Sequence, residues 1–446
     1  MSEIKQIIKR SGALVSFNPD RITNAIYRAA VSVGGRDHQM AKDLSQKVVQ
    51  VLKETLPLGK IPTVEDVQDV VEKVLIENGH AKVAKAYILY REERKQQRSE
   101  RKTLAHHSSS NIPWKKIWYI LNWAVTHAVD TIEGLNKRIE RGEFTDLIAE
   151  SEEVYNQDVE NAVEMITDRS DGLKLIIVTG PSSSGKTTTT IKVSQNLEKL
   201  GLKLVTLNVD NYFYNLDLHP KDEFGDFDFE TPQALDLSLV NEHLNLLLNG
   251  EEVLTPIYDF KAGTRHDNQT PMKVEENEII MIDSLHGLFS DMTEGIPQEQ
   301  QFRLYLEPLL QMKDKEGKFV NWTDIRLIRR MLRDATHRNW PKEHTLTHWH
   351  YVRSSEMRNI IPYINTTDYI INSGMAYELP LYRPKLLDSF AQWAEKYKDE
   401  PLRRDAYNRA ERVHKVLSQV TGVEDDSAVP GDSVLREFIG GSIYEY

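Results

Sequence analysis

The residues from Gly180 to Thr187 read Gly180-Pro181-Ser182-Ser183-Ser184-Gly185-Lys186-Thr187, which satisfies G-x-x-x-x-G-K-[ST] at each fixed position. The two glycines let the backbone turn so that successive N–H groups point inward at phosphate oxygens. A helix that starts at Lys186 adds its positive N-terminal end, with Thr188 in the same first turn. Lys186 can reach the outer phosphates, and the Thr187 hydroxyl can bind Mg²⁺. A serine-rich turn between a strand and a helix is the plainer reading. The complete motif in its strand–loop–helix setting outweighs it and implies binding of a nucleoside triphosphate.

Two acids and a row of arginines could complete a phosphate chemistry. Asp210 closes the run Leu202 to Val209, and Asp283 closes Glu278 to Ile282. Acids at the carboxyl ends of parallel strands lie in the crevice where such sheets hold ligands. From there Asp210 can take a proton from an attacking hydroxyl or hold Mg²⁺ through water, and Asp283 can associate with a metal. Arg326, Arg329, Arg330 and Arg333 recur at spacings of three and four, with Arg338 further on, so they largely share one helix face. A dense arginine face in an acidic segment suggests a lid over phosphates, with Arg333 the first choice for neutralising transition-state charge. The stretch Gly225 to Asp236 (GDFDFETPQALD) offers acids for sugar hydroxyls, Glu230 among them, and aromatics to wall a ligand. His286 reads equally as a structural hydrogen-bonder, and His106-His107 as a solvated linker pair.

These groups need a scaffold. Leu175 to Val178, Leu202 to Asn208, Glu278 to Asp283 and Phe302 to Leu306 are short apolar runs, the pattern of strands buried on both faces. Helical spacing follows the first at Ile191, Val193, Leu197 and Leu200. The expectation is an α/β domain with a mostly parallel sheet flanked by helices. Residues 113–170 look helical throughout and are expected to be a connector. Residues 376–446 look mostly helical and complete the domain.

The chain has 446 residues, 40% hydrophobic and 28% charged, and no cysteine. That length implies two or three domains. The absence of cysteine excludes disulfides, thiolate metal sites and cysteine nucleophiles. No apolar run approaches a membrane span, and MSEIKQIIKR lacks a signal core, so a cytoplasmic protein without membrane partner is expected. Net charge is −12, which argues against a nucleic-acid partner. Residues 1–102 nevertheless carry +6.

That basic segment reads as strand, turn, strand and four helices over residues 1–95, followed by a polar linker at 96–112. Its pieces IIKRSGALVSFNPDRITNAIYRAA, IPTVEDVQDVVEKVLIENGH and VAKAYILYREER resemble, in order, the ATP-cone domain, a small mainly helical nucleotide sensor. The resemblance implies a nucleotide effector held by Lys9, Arg10, Arg21 and Lys85 or Arg91. It also implies regulation through oligomer state, so a homo-oligomer is expected.

Residues 173–375 resemble the uridine kinase and phosphoribulokinase family of P-loop kinases, on GPSSSGKTTTT, VDNYFY, DFETPQALDL, PIYDFKAGTR, EIIMIDSLHGL and TDIRLIRRMLRD. The catalytic domain is assigned to residues 171–375. The resemblance implies ATP as donor, Mg²⁺ as cofactor and a small acceptor such as a nucleoside or sugar. Asp210 matches the family's general base, with Tyr212 beside it. Glu230 falls where the family binds a sugar, Tyr258 and Arg265 match substrate contacts, and Asp283 replaces the usual glutamate near the metal. One departure stands out: where uridine kinases place a histidine two residues before that arginine, this chain has Gly263, and His266 lies on its other side. The function implied is phosphorylation of a nucleoside 5′-hydroxyl. A kinase for a sugar phosphate or other small alcohol, and a nucleotide-sensing regulator without turnover, are the alternatives.

Overall fold

A computed structural model describes residues 4–8, 14–35, 37–57, 60–89, 91, 111–219, 230–260, 262–337, 340–400 and 403–445. The chain divides into two compact units, residues 1–109 with 217–229, and residues 110–216 with 230–446.

In the first unit, β1 (Gln6–Ile8) pairs antiparallel with β2 (Leu14–Ser16). Helices α1 (Asp20–Val31), α2 (His38–Thr55), α3 (Val64–Glu77) and α4 (81–89) follow. Thr63 and Asp66 form a reciprocal capping box that starts α3, and the Asp37 carboxylate caps α2. One apolar stripe from each helix, including Ile26, Leu44, Val71 and Val83, meets in a core of its own.

The second unit opens with α5 (Trp114–Thr126), α6 (Ile132–Glu140) and α7 (Phe144–Thr167). These helices are not a spacer. Tyr155, Val159 and Ile166 of α7 are buried in one core with Ile176, Leu197 and Phe302. The expected connector is therefore part of the catalytic unit's own packing. The outer aromatics of α5 face away, with Trp114 at 60% and Trp118 at 69% exposure.

The centre is a parallel sheet in the order β4-β7-β3-β8-β9, built from β3 (Leu175–Thr179), β4 (Lys203–Asn208), β7 (Glu278–Ser284), β8 (Gln301–Glu307) and β9 (Tyr369–Asn372). Helix α8 (Lys186–Lys199) follows the loop after β3. Every residue of β3 is buried, because α7 and α8 cover one face of the sheet and α9 (Leu237–Leu248) packs on the other. A separate antiparallel hairpin joins β5 (Val253–Asp259) to β6 (Thr264–Met272). Then come α10 (Trp322–His337), α11 (Lys342–Asn359), α12 (Glu378–Tyr397), α13 (Arg404–Gln419) and the short α14 (Arg436–Ile439). Among the described residues, no helix is long and apolar enough to cross a membrane.

Candidate active site

The phosphate loop runs from the carboxyl end of β3 into α8. Gly185 stands at φ +90°, a left-handed conformation that a side chain resists, and a Cβ there would lie 2.3 Å from Val434 Cγ2. The loop is braced from outside. The Ser184 carbonyl accepts from Ser373 Oγ, and the Ser182 carbonyl accepts from Arg326 Nη1 at 3.1 Å. Pro181, Ser182, Ser183 and Ser184 are buried, Lys186 is half-buried and Thr187 is exposed. The Thr188 hydroxyl donates to Glu437 Oε2 at 2.9 Å.

The register of the sheet gathers the two acids. Asp283 on β7 stands opposite Val178 on β3 and opposite Asn208 on β4. Asp210 follows β4 in a short turn started by the Asn208 side chain, and it is exposed. Burial pushes the Asp283 carboxyl up to about 6; Lys186 opposes this, while the charges of Asp210 and Glu437 add to it. A buried acid whose proton affinity a second acid raises, with a lysine nearby, suits a divalent cation. Among the described residues no three acids or histidines cluster as a self-sufficient metal cage. Thr187 and Asp283 fit the usual Mg²⁺ pattern of few protein ligands with phosphate oxygens completing the shell.

The arginine helix does something other than cover the site. Arg326 and Arg329 are both 0% exposed. Arg326 pairs with both oxygens of Glu356, and Arg329 with both oxygens of Glu378 at 2.9 Å. Burial works against the charge of Arg329, but the Glu378 carboxylate outweighs it and raises the guanidinium's proton affinity. Arg329 also donates to the Ser373 carbonyl at 2.7 Å, and Ser373 holds Ser184. These two arginines therefore anchor the loop from within the core, which corrects their expected place in a lid. Arg330 and Arg333 are partly exposed. Arg330 donates to Ser182 Oγ at 3.0 Å and pairs with Glu230. Arg333 lies between Asp334 at 3.3 Å and Glu437 at 3.9 Å. Arg338 lies outside the described residues.

The expected substrate residues divide as well. Burial pushes the Glu230 carboxyl up, but Arg330 beside it wins and holds it below the usual range. Tyr258 and Arg265 face each other across the β5–β6 hairpin. The Tyr258 ring packs on Phe213 and Phe260, and its buried hydroxyl has no hydrogen-bond partner among the described residues. Arg265 reaches Asp236 Oδ2 at 3.1 Å and lies over the Tyr214 ring. Asp236, the last acid of the Gly225–Asp236 stretch, also caps α9. Tyr212 turns inward: it is fully buried and its hydroxyl bonds His243 Nδ1 at 2.8 Å, so it supports the core under Asp210 instead of meeting a substrate. Gly263 has φ +66°, and a Cβ there would lie 2.8 Å from Leu216 Cβ. Leu216 thus fills the space that a histidine at this position would take. His266 is exposed on the hairpin.

His286 is 2% exposed. Burial drives its proton affinity down to about 4; the Glu230 carboxylate opposes this and Lys186 reinforces it.

In the first unit, Lys9 and Arg10 lie outside the described residues, and Arg21 and Lys85 are exposed. Arg91 is engaged internally with Asp69 at 2.7 Å and Glu72 at 2.6 Å, which ties it to α3. His106 and His107 lie outside the described residues.

The ATP cone domain family model matches residues 5–96, and the Phosphoribulokinase / Uridine kinase family model matches residues 175–379. A uridine kinase of Halalkalibacterium halodurans is 30% identical over 202 residues, covering 45% of this chain and 86% of that protein. A uridine kinase of Bacillus pumilus is 29% identical over 201 residues, covering 45% of this chain and 86% of that protein. A vitamin B12-dependent ribonucleoside-diphosphate reductase of Thermoplasma acidophilum is 42% identical over 106 residues, 23% of this chain, which spans only 13% of that enzyme's length.

Proposed function

The chain belongs to the phosphoribulokinase / uridine kinase family and carries an ATP-cone domain ahead of it, and on that premise we propose that it transfers the γ-phosphoryl of ATP to the 5′-hydroxyl of a nucleoside of the uridine or cytidine kind. The observation that carries this reading is the gathering of Asp210, Asp283 and Lys186 at the carboxyl ends of the strands that flank the phosphate loop.

Asp210 accepts the proton of the attacking hydroxyl. Lys186 and the loop amides of Gly180 to Thr188 hold the phosphates, and Arg333 neutralises charge that develops on the transferred group. Thr187 and Asp283 would hold Mg²⁺, which supplies further neutralisation of phosphate charge when bound. Glu230, Tyr258 and Arg265 orient the acceptor. Replacing Asp210 with Asn should lower turnover by at least ~10²-fold while ATP affinity, measured by calorimetry, stays within about threefold. A variant that keeps turnover removes Asp210 from the role of base.

Leu216 against Gly263 favours a second reading. The acceptor pocket departs from the nucleobase-reading pattern at that point, so a sugar phosphate or another small alcohol is the competing acceptor. In the first unit we assign Arg21 and Lys85, with Lys9 and Arg10, to a regulatory nucleotide.

A further inference from the structure

We infer that Glu437 is a positioning residue of the phosphoryl-transfer site, supplied by the C-terminal segment to hold Arg333 against the phosphate loop. The inference rests on the kinase reading for the role of Arg333, and on geometry for the rest. Glu437 lies beyond residue 379, where the family match ends. It is nonetheless 4% exposed and sits on the first turn of α8. Its Oε2 accepts the Thr188 hydroxyl at 2.9 Å and faces the Thr188 N–H at 3.4 Å. Its Oε1 lies 3.9 Å from Arg333 Nη1. One carboxylate thus bridges the helix that ends the phosphate loop and the arginine best placed to meet phosphate charge.

The segment that presents Glu437 is fixed on both sides. Before it, Ser433 donates to Glu152, and Val434 packs against the α-carbon of Gly185. Beside it, Arg436 donates to the carbonyls of Asp426 and Val429 at 2.7 Å each and of Gly440 at 3.2 Å. A carboxylate on a free-swinging tail would be a competitor for the anion site, easily displaced. This one is built in, and its charge is answered by Arg333 and the positive end of α8. Arg333 donates from Nε and Nη2 to Asp334, and its other tip, Nη1, faces Glu437. Without Glu437 the guanidinium keeps only the Asp334 contact among these two and gains freedom to swing.

A double-mutant cycle on the full-length protein tests this. Glu437→Gln keeps an acceptor for Thr188 but loses the charge; Glu437→Ala loses both. Each is made in the wild-type and Arg333→Ala backgrounds, and both kcat and Mg-ATP affinity are measured. We expect Glu437→Ala to lower kcat about tenfold, Glu437→Gln to fall between, and both losses to shrink below about twofold once Arg333 is gone. Equal losses in the two backgrounds, or no loss with intact Arg333, overturn the inference. If Glu437→Ala fails to fold, Glu437→Gln alone carries the same comparison. If the wild type binds Mg-ATP yet phosphorylates no acceptor, the kinase reading falls, and Glu437 is then judged on Mg-ATP affinity: coupling to Arg333 of at least about threefold supports it, and additivity rejects it.

Discussion

His286 shows how much a single side chain in this cleft can reveal about the state of its surroundings. The imidazole is buried and resists protonation until about pH 4, against an ordinary value of 6.5. An unfolded chain would take up that proton near its ordinary value, so the unfolded state binds more protons between those limits. Stability contributed at this position is therefore full above about pH 6.5 and is lost as pH falls toward 4, by up to about 3 kcal/mol. Urea unfolding of the wild type and of His286→Gln over pH 4–7 checks this. The expected result is a flatter acid limb in the variant; parallel limbs would mean that His286 is not held neutral. At the same scale, Asp283 owes its raised proton affinity first to burial and then to neighbours far off in sequence, Asp210 and Glu437.

At the scale of elements, α10 is the piece whose role changes most. Its spacing shows that four arginines share a face, but spacing alone does not show which way that face points. The partners decide it: Glu356 and Glu378 come from other helices, and neither stands out in the sequence. Removing one member of a buried pair leaves the other charge uncompensated, typically at a cost of about 3–5 kcal/mol. Arg329→Ala should thus destabilise the protein by that order in chemical denaturation. Arg333→Ala, with a partly exposed side chain, should cost less stability than Arg329→Ala while slowing turnover. Equal stability losses would place both arginines in the same role. The strands behave differently. Leu175 to Val178 and Glu278 to Asp283 are legible because strands buried on both faces need unbroken apolar runs, and the phosphate loop is legible because its residues are contiguous. The β6 strand, Thr264–Met272, carries His266, Asp267, Asn268 and Gln269 on an exposed hairpin, so it lacks the apolar alternation that marks a strand. Likewise α7 is helical in its pattern, but only packing shows that Tyr155 and Val159 belong to the sheet's own core.

For the whole molecule, two units with separate cores match two families, and on the proposed reading each holds a nucleotide for a different task. The second unit contains all the groups assigned to phosphoryl transfer, so deleting residues 1–95 should leave a kinase that no longer responds to ATP or dATP as effector. Activity titrated with each effector, in the full chain and the truncated one, checks this; an unchanged response after truncation would move regulation into the catalytic unit. The central claim is transfer of phosphate to a nucleoside hydroxyl, and the most direct measurement supplies Mg-ATP with a panel of nucleosides, sugar phosphates and simple alcohols and follows the phosphorylated product by mass spectrometry. We predict a nucleoside 5′-monophosphate that forms in step with ADP and disappears in Asp210→Asn. Phosphorylation confined to a sugar phosphate or alcohol, or tight ATP binding with no phosphorylated product, would contradict it.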